Sequence, residues 1–551
     1  MAKNLTTGLQ RGLRQSIAGG LGTGDLFSTA SLDLQFARHK SLDSRVTHTR
    51  QSSATYVDGD GVIRTAVTNL LLRSEEFDQA WTAQNGYSVT ANQAIAPDGT
   101  LTADAVSRTN ASSQFLYQIV PVSGTLTFSC WVKTASGTAT FQLSSYNSTD
   151  GSKNSGDLTA TTTWERFYFT ITQSGATTNW YPCNGEADAI FYIWGAQLEE
   201  SSTVGQYVKT TTAKNGAPRF DHDPETGESL GLLVEESRQN LLLYSTNFDN
   251  NYWLQTNITT NSVTAPDGTL TAATYEGTGA AQSVYNTTSA TVTASAEYTY
   301  SLYVKLGTMS AGNYKFAVYD VSNSSFIGSD LVPDVTPTAS SWTRITYSFT
   351  APSGCTAIRV YPFRNSSSIT SSTVHFWGAQ IEAGSFPTSY IPTEGSEVER
   401  AADVASITGA NFSSWYEQSE GTVFVNQTSL STVPQDFATV CQFNDTTVTN
   451  LLWLRKRANF SEWAVGGESN LFMTRTINQP SVLSVAYKTD NTAFAAEGNL
   501  TSDSTCTIDP NKVEVLIGNG ITSDSYLNGT IRRLTYWPTR LSDDTLQTIT
   551  T

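Results

Sequence analysis

The stretch "NLLLYSTNFDNNYWLQTNITTNSVTAPDGTLTAATYEG" covers residues 240 to 277 and determines how the rest of the chain is divided. An earlier stretch, "NLLLRSEEFDQAWTAQNGYSVTANQAIAPDGTLTADAV" at residues 69 to 106, has the same opening and the same "APDGT" phrase. The two stretches begin 171 residues apart. This period is too long for a solenoid repeat and indicates that a whole domain is duplicated.

The match between the two copies continues beyond these stretches and in the same order. "LTFSCWVKTASG" (126–137) corresponds to "YTYSLYVKLG" (298–307), and the copies close with "FYIWGAQLEE" (191–200) and "VHFWGAQIEA" (374–383). Apolar and polar residues alternate in these segments, and Gly, Pro and Ser turns separate them, which is typical of antiparallel sheets. We therefore predict two homologous β-sandwiches, at residues 68–214 and 240–398.

The remaining segments have different patterns. Residues 1–67 begin with Leu5, Leu9, Leu13 and Ile17 at i, i+4 spacing, which predicts a short amphipathic helix that either folds on a partner or frays. Residues 215–239 contain Asp-Pro and Thr-Gly turns and are predicted to be an ordered linker. Residues 399–551 contain new strand patterns and end in a helical turn capped by Ser542. The expected fold is all-β, with three antiparallel β-sandwiches after a partly helical N-terminal segment.

Composition excludes some classes of partner and favours others. The net charge of −17 disfavours nucleic acid, whose phosphates require basic clusters. The first 50 residues nevertheless carry a net charge of +4, which suits docking to an acidic partner or simply a solvated start. The longest apolar runs are too short to span a membrane, and a signal-peptide core is not evident, so we expect synthesis in a cytoplasm and no membrane insertion. We expect the five scattered cysteines to be reduced core residues.

Several motifs resemble those of a known group of proteins. The "NLLLxSxxFDxxxW" opening with a "FWGAQ(L/I)E" closing strand resembles carbohydrate-binding-module-like jelly rolls of bacteriophage tail and head appendage proteins. "PRFDHDPETGESLGLLVEESRQNLL" and "ERAADVASITGANFSSWYEQSEGT" are similar to phrases of the same phage proteins. "YLNGTIRRLTYWPTRLSDDTLQ" is similar to laminin-G or concanavalin-A-like lectin sandwiches. The resemblance implies a virion protein with two jelly rolls and a lectin-like third sandwich.

Candidate glycan-binding residues lie at matched places in the two copies. Sugar-binding sandwiches present aromatic rings to pyranose faces, while flanking amides and carboxylates bind the hydroxyls. The "WYPCN" and "VYPFRN" segments provide such groups, with the alternative that the two tyrosines belong to the core of a strand. The predicted glycan-binding residues are Trp180, Tyr181, Asn184, Tyr361 and Asn365. Trp194 and Trp377 are predicted to be core residues, and Trp81 and Trp253 are compatible with either role.

Calcium is the only cofactor that the sequence suggests. Related sandwiches often bind one calcium ion between their first and last strands, and calcium needs several oxygen ligands. By resemblance, Asp78 with Glu199, and Asp249 with Glu382, would supply the carboxylates. The alternative is that these residues are only polar strand ends, since a DxDxDG loop is not evident.

Catalysis is not expected from this sequence. The four histidines lie outside any HExxH, GxSxG or phosphate-loop motif. Pairs of carboxylates suitable for glycan cleavage occur by chance among 49 acidic residues and therefore decide nothing. We expect a virion protein, attached to other virion proteins through residues 1–67, that binds host-surface polysaccharide without cleaving it. By resemblance to phage fibres it would form a homotrimer. The rival hypotheses are a purely structural decoration and a glycan depolymerase.

Overall fold

The computed structural model describes residues 23–109, 114–175, 177–254, 256–279, 282–429, 438–448, 450–457, 460–465, 468–474, 481–522 and 525–551. The predicted leader helix, residues 5–17, lies outside this part of the chain. The described chain divides into two compact units. One contains Thr49–Ser53 and Thr65–Ala217, and the other is formed by the described parts of Met1–His48, Ala54–Arg64 and Pro218–Thr551.

Short elements precede the first sandwich. They include two helical turns, Thr23–Ser28 and Phe36–His39. The strands of this part are β1 (Leu32–Leu34), β2 (Thr47–Thr49), β3 (Thr55–Val57), β4 (Ile63–Thr65) and β5 (Thr68–Asn69). β3 and β4 pair around the "DGDG" turn, where Gly61 has a φ of 77° and donates its N–H to the Asp58 carbonyl.

The first sandwich is the core of the smaller unit. Its strands are β6 (Thr82–Gln84), β7 (Ser88–Ala94), β8 (Ala103–Ser107), β9 (Phe115–Val120), β10 (Gly124–Thr134), β11 (Ala139–Asn147), β12 (Gly151–Asn154), β13 (Leu158–Ala160), β14 (Glu165–Gln173), β15 (Thr178–Gly185) and β16 (Ile190–Glu199). One sheet has the order β14-β10-β16-β8-β7 and the other β12-β11-β15-β9-β6, with β13 beside β11. Leu116, Phe128 and Trp180 are fully buried in the core between them.

The residues that follow form strands as well. They are β17 (Asn215–Gly216), which pairs with β5, then β18 (Arg219–His222), β19 (Ser229–Val234) and β20 (Arg238–Asn240). β18 and β19 form an antiparallel hairpin whose turn is closed by the Asp223 carboxylate, which accepts the backbone N–H groups of Glu225 and Thr226.

The second sandwich repeats one sheet of the first, while its other strands form a two-stranded and a four-stranded sheet. Its strands are β21 (Ile258–Val263), β22 (Ala272–Gly279), β23 (Gln282–Val284), β24 (Ala290–Thr291), β25 (Glu297–Leu306), β26 (Phe316–Asp320), β27 (Ser325–Leu331), β28 (Thr343–Thr350), β29 (Ala357–Tyr361), β30 (Phe363–Asn365) and β31 (Ile369–Ala383), with a 3-10 turn at Ala311–Asn313. The order β28-β25-β31-β22-β21 matches β14-β10-β16-β8-β7 of the first copy. The duplication inferred from sequence therefore includes the topology of this sheet.

The third sandwich uses the C-terminal strands. They are β32 (Val398–Arg400), β33 (Val404–Thr408), β34 (Glu420–Ser429), β35 (Ala438–Asn444), β36 (Leu451–Arg457), β37 (Phe460–Val465), β38 (Glu468–Thr474), β39 (Ser481–Lys488), β40 (Thr492–Ala496), β41 (Asn499–Asp503), β42 (Glu514–Ile517) and β43 (Gly529–Trp537). A helical turn at Gly409–Ser413 follows β33, and the helix Asp543–Ile549 is capped by the Ser542 side chain, as predicted. The prediction of an all-β fold with three antiparallel sandwiches is confirmed.

The predicted boundaries of the third sandwich are wrong. Its larger sheet has the order β18-β19-β43-β34-β39-β40-β41, and β1 also pairs with β43. β19 lies beside residues 529–531 and β1 beside residues 534–536, so the two share one edge of β43. Residues 219–234 are therefore strands of the sandwich rather than a linker, and part of the supposed anchor segment is also within it. In residues 399–551 alone, this edge of β43 is uncovered. The strands that cover it, β1 and β19, come from distant parts of the sequence.

A buried cluster of charges joins these segments within the larger unit. Arg219 of β18 contacts the Glu235 and Asp403 carboxylates, and Arg400 lies 3.5 Å from Glu235. Each of these four side chains is at most 1 % exposed. Burial alone would raise the pKa of Glu235, but the Arg400 and Arg219 guanidinium groups outweigh it and hold this pKa at about 2. The charges therefore stay ionised inside the protein because they neutralise one another.

Two further expectations concern cysteines and membranes. All five cysteines are buried and free of disulfides, as predicted. Among the residues that the structure describes, we find no helix with the length and apolarity needed to cross a bilayer.

Candidate functional site

The candidate site of the first sandwich lies on the outer face of the sheet that contains β15. Side chains alternate along a strand, so Trp180 points into the core while its neighbours Asn179 and Tyr181 face outward. Tyr181 lies opposite Ser144 of β11, and Asn179 lies opposite Tyr146. Burial raises the pKa of Tyr181, so its hydroxyl remains protonated at neutral pH.

Aromatic rings from the two neighbouring strands, β9 and β11, lie near Tyr181. The ring centroids of Phe115 and Tyr117 on β9 each lie 5.6 Å from that of Tyr181. Tyr146 extends this surface and is 48 % exposed, and Ile119, on the other side of Asn179, is 52 % exposed. We call Phe115, Tyr117, Tyr146 and Tyr181 the first aromatic face.

Polar groups lie next to this face. Asn184 donates a hydrogen bond to the Ser144 hydroxyl at 2.5 Å, while its buried Oδ1 accepts none within the described part of the chain. Asn184 lines an open cavity of about 500 Å³ together with Phe115, Gln142, Asp157 and Glu186. The cavity therefore combines one aromatic edge with amide and carboxylate groups, which are the groups that bind sugar hydroxyls.

The second sandwich has a related cluster of rings around Tyr361, which is itself buried at 9 % exposed, whereas the matched Tyr181 is partly exposed. The centroid of Tyr361 lies 5.0 Å from Tyr285 and 5.7 Å from Phe326, and Phe326 lies 4.9 Å from Tyr319. We call these four residues the second aromatic face. Tyr319 lies opposite the residue two positions before Tyr361, as Tyr146 does for Tyr181. Phe326 is the most open of the rings, at 37 % exposed.

Two of the predicted glycan-binding residues are wrong. Trp180 is 0 % exposed and packs 5.4 Å from Phe128, because its position in β15 directs it inward. Asn365 is 6 % exposed, and its amide donates to the Asn313 carbonyl and accepts from the Ser367 N–H. Both side chains are committed to the interior, so neither can contact a surface sugar in this conformation.

The tryptophans predicted to be buried are buried, but not all in one core. Trp194 and Trp377 lie on the opposite face of the closing strands, where they pack against Tyr207 and Tyr390 at 4.8 and 4.6 Å. Trp81 and Trp253 belong to the main cores. Each donates its indole N–H to a backbone carbonyl of the opening motif. These tryptophans therefore stabilise the fold of the motif.

The proposed calcium ligands of the first copy do not fit a metal site. Glu199 is buried, and its carboxylate accepts hydrogen bonds from Gln197 and from the Gly205 N–H. Asp78 is exposed on another segment, where its side chain accepts a hydrogen bond from Gln79. In the described residues, no group of three His, Cys, Asp or Glu side chains is arranged to hold a metal. A hard cation needs several oxygens on one side, and these groups are not so arranged.

The second copy gives the same result. Glu382 accepts from Gln380, from the Thr388 N–H at 2.9 Å and from the Thr388 hydroxyl at 2.7 Å. Asp249 is exposed and accepts a hydrogen bond from Thr260. Glu382 holds the loop that follows the closing strand, and these contacts give no support to Asp249 and Glu382 as a calcium pair, which stays a prediction.

Sequence analysis did not select most of the aromatic residues of the two faces. Phe115, Tyr117 and Tyr146, with Tyr285, Tyr319 and Phe326 in the second copy, were ordinary strand residues until the sheets were assembled. A signal did exist for one pair, because Tyr117 and Tyr285 each come three residues after a Gln, in "QFLYQ" and "QSVYN". The register between neighbouring strands determines which of these rings come into contact.

Comparison with known proteins gives matches among solved structures alone. No family model matches the chain. No curated protein matches it either. The tandem CBM22-1–CBM22-2 domain of Paenibacillus barcinonensis Xyn10C is 15 % identical, with a TM-score of 0.21, over 58 % of this chain and 98 % of that one.

A second match is a carbohydrate-binding module of another class. The CBM40 module of the Ruminococcus gnavus IT-sialidase, solved with α2,3-sialyllactose, is 15 % identical with a TM-score of 0.22. It covers 24 % of this chain and 83 % of that one. TM-scores of this size carry no argument about what the present chain binds, so its function has to be argued from the two aromatic faces.

Proposed function

We propose that this protein binds glycans through the first and second aromatic faces. The observation that carries the proposal is the duplication of one surface feature: Tyr181 and Tyr361 each lie among further rings at equivalent places in two sandwiches. Duplicated cores follow from a duplicated fold and Tyr361 is itself buried, but partly exposed rings such as Tyr146 and Phe326 beside these tyrosines stabilise a fold little. Their recurrence on the outer face is better explained by a ligand.

The chemistry of the faces suits sugars. A pyranose ring stacks its CH groups on an aromatic surface, and its hydroxyls need amide, hydroxyl or carboxylate partners. Such partners lie beside the first face as Gln142, Asp157 and Asn184. Two weak sites on one chain gain avidity of about 10² to 10⁴ when both engage the same polymer.

The wider role that we propose is adsorption of a bacteriophage to its host. This step rests on the resemblance of the sequence motifs to phage appendage proteins. In this proposal the N-terminal segment attaches to other virion proteins, the chains form a homotrimer, and the sandwiches bind host-surface polysaccharide reversibly. The protein would not cleave its ligand.

Binding of labelled full-length protein to bacterial cells and to their purified surface polysaccharides tests the proposal. We expect saturable binding that soluble glycan competes away. Tyr181→Ala and Tyr361→Ala should each weaken binding about tenfold or more, because each removes a central ring. Tyr168→Ala is the matched control, since Tyr168 is 54 % exposed on the other sheet of the first sandwich.

The rival hypotheses predict different results. A purely structural decoration predicts that well-folded protein ignores every glycan and that the Tyr181 and Tyr361 variants behave like wild type. A depolymerase predicts release of reducing ends from the bound polysaccharide. Binding that is equally reduced by Tyr168→Ala would also count against sites on the aromatic faces.

A further inference from the structure

The two aromatic faces differ in charge at matched positions. Two residues before and three residues after Tyr181 stand Asn179 and Asn184. At the same offsets from Tyr361 stand Arg359 and Arg364. Both flanking positions therefore carry neutral amides in the first copy and guanidinium groups in the second.

Arg359 brings a positive charge to the second face. It lies opposite Tyr319 across the strands, and its guanidinium carbon is 5.5 Å from the centroid of the Tyr285 ring. One of its amino groups donates to the Thr287 carbonyl at 3.1 Å, while its Nε donates to no acceptor in the described part of the chain. Within that same part, no carboxylate approaches Arg359 to salt-bridge distance. Its charge is therefore not neutralised locally.

Arg364 is placed differently and contributes less charge. Its guanidinium carbon lies 4.2 Å from the centroid of Phe326, and it pairs with the Asp330 carboxylate at 2.9 Å. Asp330 also accepts hydrogen bonds from the N–H and hydroxyl of Ser366. Arg364 therefore links Phe326 to Asp330 at one edge of the face, and its charge is paired. Arg359 supplies the positive charge that is not paired with a carboxylate.

The first face has the opposite character. Asn179 donates to the Tyr181 hydroxyl at 3.2 Å, and Asn184 donates to Ser144. The adjoining cavity contains the Asp157 and Glu186 carboxylates. Its one guanidinium, that of Arg108, donates to the carbonyls of Gly185 and Gln114. An anionic sugar would be repelled here.

We propose that the second aromatic face binds a carboxylate-bearing sugar residue, with Arg359 as the residue that determines this specificity, and that the first face binds a neutral sugar. This inference rests on the proposed glycan-binding function and names the ligand class of each site. A guanidinium binds a carboxylate through charge-assisted hydrogen bonds, and the rings beside it stack on the sugar. The carboxylate could belong to a uronic acid or to a sialic acid, and both have the same chemistry here.

The test uses full-length protein and matched pairs of probes. One arm contains oligosaccharides with glucuronic or galacturonic acid, the other contains oligosaccharides with N-acetylneuraminic acid, and each acid is paired with its neutral methyl ester. The proteins are wild type, Arg359→Asn, which installs the residue of the first face, and Asn179→Arg, the reciprocal change. Thermal melting first verifies that each variant is folded.

We expect wild type to bind the acid of at least one arm about tenfold or more tightly than its ester. Arg359→Asn should remove this preference, whereas Tyr168→Ala, outside both faces, should leave it unchanged. Raising the salt concentration should weaken binding of the acid alone. Asn179→Arg should retain the preference of wild type or increase it. The arm that responds identifies the kind of acidic sugar.

Other outcomes overturn the inference, alone or together with the proposed function. Equal binding of acid and ester by wild type, or an acid preference that survives in Arg359→Asn, would refute the inference alone if Tyr181→Ala still impairs glycan binding. If wild type binds none of these probes and Tyr181→Ala and Tyr361→Ala leave binding to cells unchanged, the proposed function fails as well.

Discussion

Buried glutamates at the ends of the closing strands illustrate what single residues do in this protein. Glu199 and Glu382 each accept the backbone N–H of the residue six positions later, Gly205 and Thr388. Thr388 also donates its hydroxyl to Glu382. Gly205 has no hydroxyl, so the second oxygen of Glu199 is left without a hydrogen bond in the described residues. The carboxylates stabilise loops, and the two copies do so unequally.

Removing these carboxylates should therefore destabilise the two units by different amounts. Glu382→Ala removes the acceptor of the Thr388 N–H, of the Thr388 hydroxyl and of one hydrogen bond of the Gln380 amide, and we expect a loss of about 3 kcal/mol in the free energy of unfolding. Glu199→Ala should cost less. Asp249→Ala, at an exposed position, should change it by less than about 0.5 kcal/mol. Denaturant titration measures all three, and equal losses would contradict this account.

Calcium should not affect stability. A ligand present at about 100 times its Kd stabilises the folded state by about 2.7 kcal/mol, which is easily seen in a melting curve. Since Glu199 and Glu382 already have protein partners, we expect EDTA or millimolar calcium to shift the Tm by less than about 1 °C. Differential scanning calorimetry would show a shift of several degrees if a calcium site exists.

The ion pairs of Glu235 should make the larger unit sensitive to acid. Its folded pKa of about 2 lies below its ordinary value of 4.5. The resulting stability is present above pH 4.5 and is lost as the pH falls toward 2, by about 3 kcal/mol in total. Glu235→Gln should be less stable at pH 7 and show a flatter decline. Urea unfolding between pH 5 and pH 3 compares the two, with Glu228→Gln as the exposed control.

At the scale of elements, β43 determines how the third sandwich is completed. β34 covers one edge of this strand, and β19 and β1 share the other. Leu32, Leu34 and Leu232 from the added strands are buried in the same core as Leu534 and Tyr536 of β43. The C-terminal strands alone leave both backbone groups and apolar side chains of that edge uncovered.

A fragment of residues 399–551 should therefore not fold by itself. It lacks β1, β18 and β19, and its uncovered strand edge should cause aggregation. A fragment of residues 49–217 contains a complete core and should unfold cooperatively. Circular dichroism with thermal melting distinguishes the two. Cooperative unfolding of the 399–551 fragment would show that the added strands are dispensable.

At the scale of the whole molecule, the chain is organised as two units with separate cores. Phe128 is buried in the core of the smaller unit, and Phe316 is buried in the second sandwich of the larger one. The smaller unit consists of residues 49–53 and 65–217. The short segment between these two ranges belongs to the larger unit. Two cores of this kind need not unfold together.

Calorimetry of the full chain should show two unfolding transitions. Phe128→Ala should lower the midpoint of one and Phe316→Ala that of the other, because each leaves a core cavity that costs about 3 to 5 kcal/mol. Each variant serves as the control for the other. A single transition that both substitutions shift equally would mean that the two units unfold as one.

Much of this architecture could be predicted from the sequence because its signals are local. Alternating apolar residues, turn residues and the repeated phrases indicated strands, sandwiches and a duplicated domain, and the matched place of Tyr181 and Tyr361 already marked the candidate sites. Residue type and spacing along one strand carry this information. They do not depend on which strand lies next to which.

The tertiary structure alone decided the rest. Which of Trp180 and Tyr181 faces outward depends on the register of one strand in its sheet. A shift of one residue would turn Tyr181 inward and Trp180 outward. The partners of Glu199 and Glu382 come from loops, and β1 reaches β43 from almost the other end of the sequence. The aromatic faces and the charge of Arg359 likewise arise where several strands meet. Such contacts depend on register and packing between distant segments, which residue patterns along the chain do not specify.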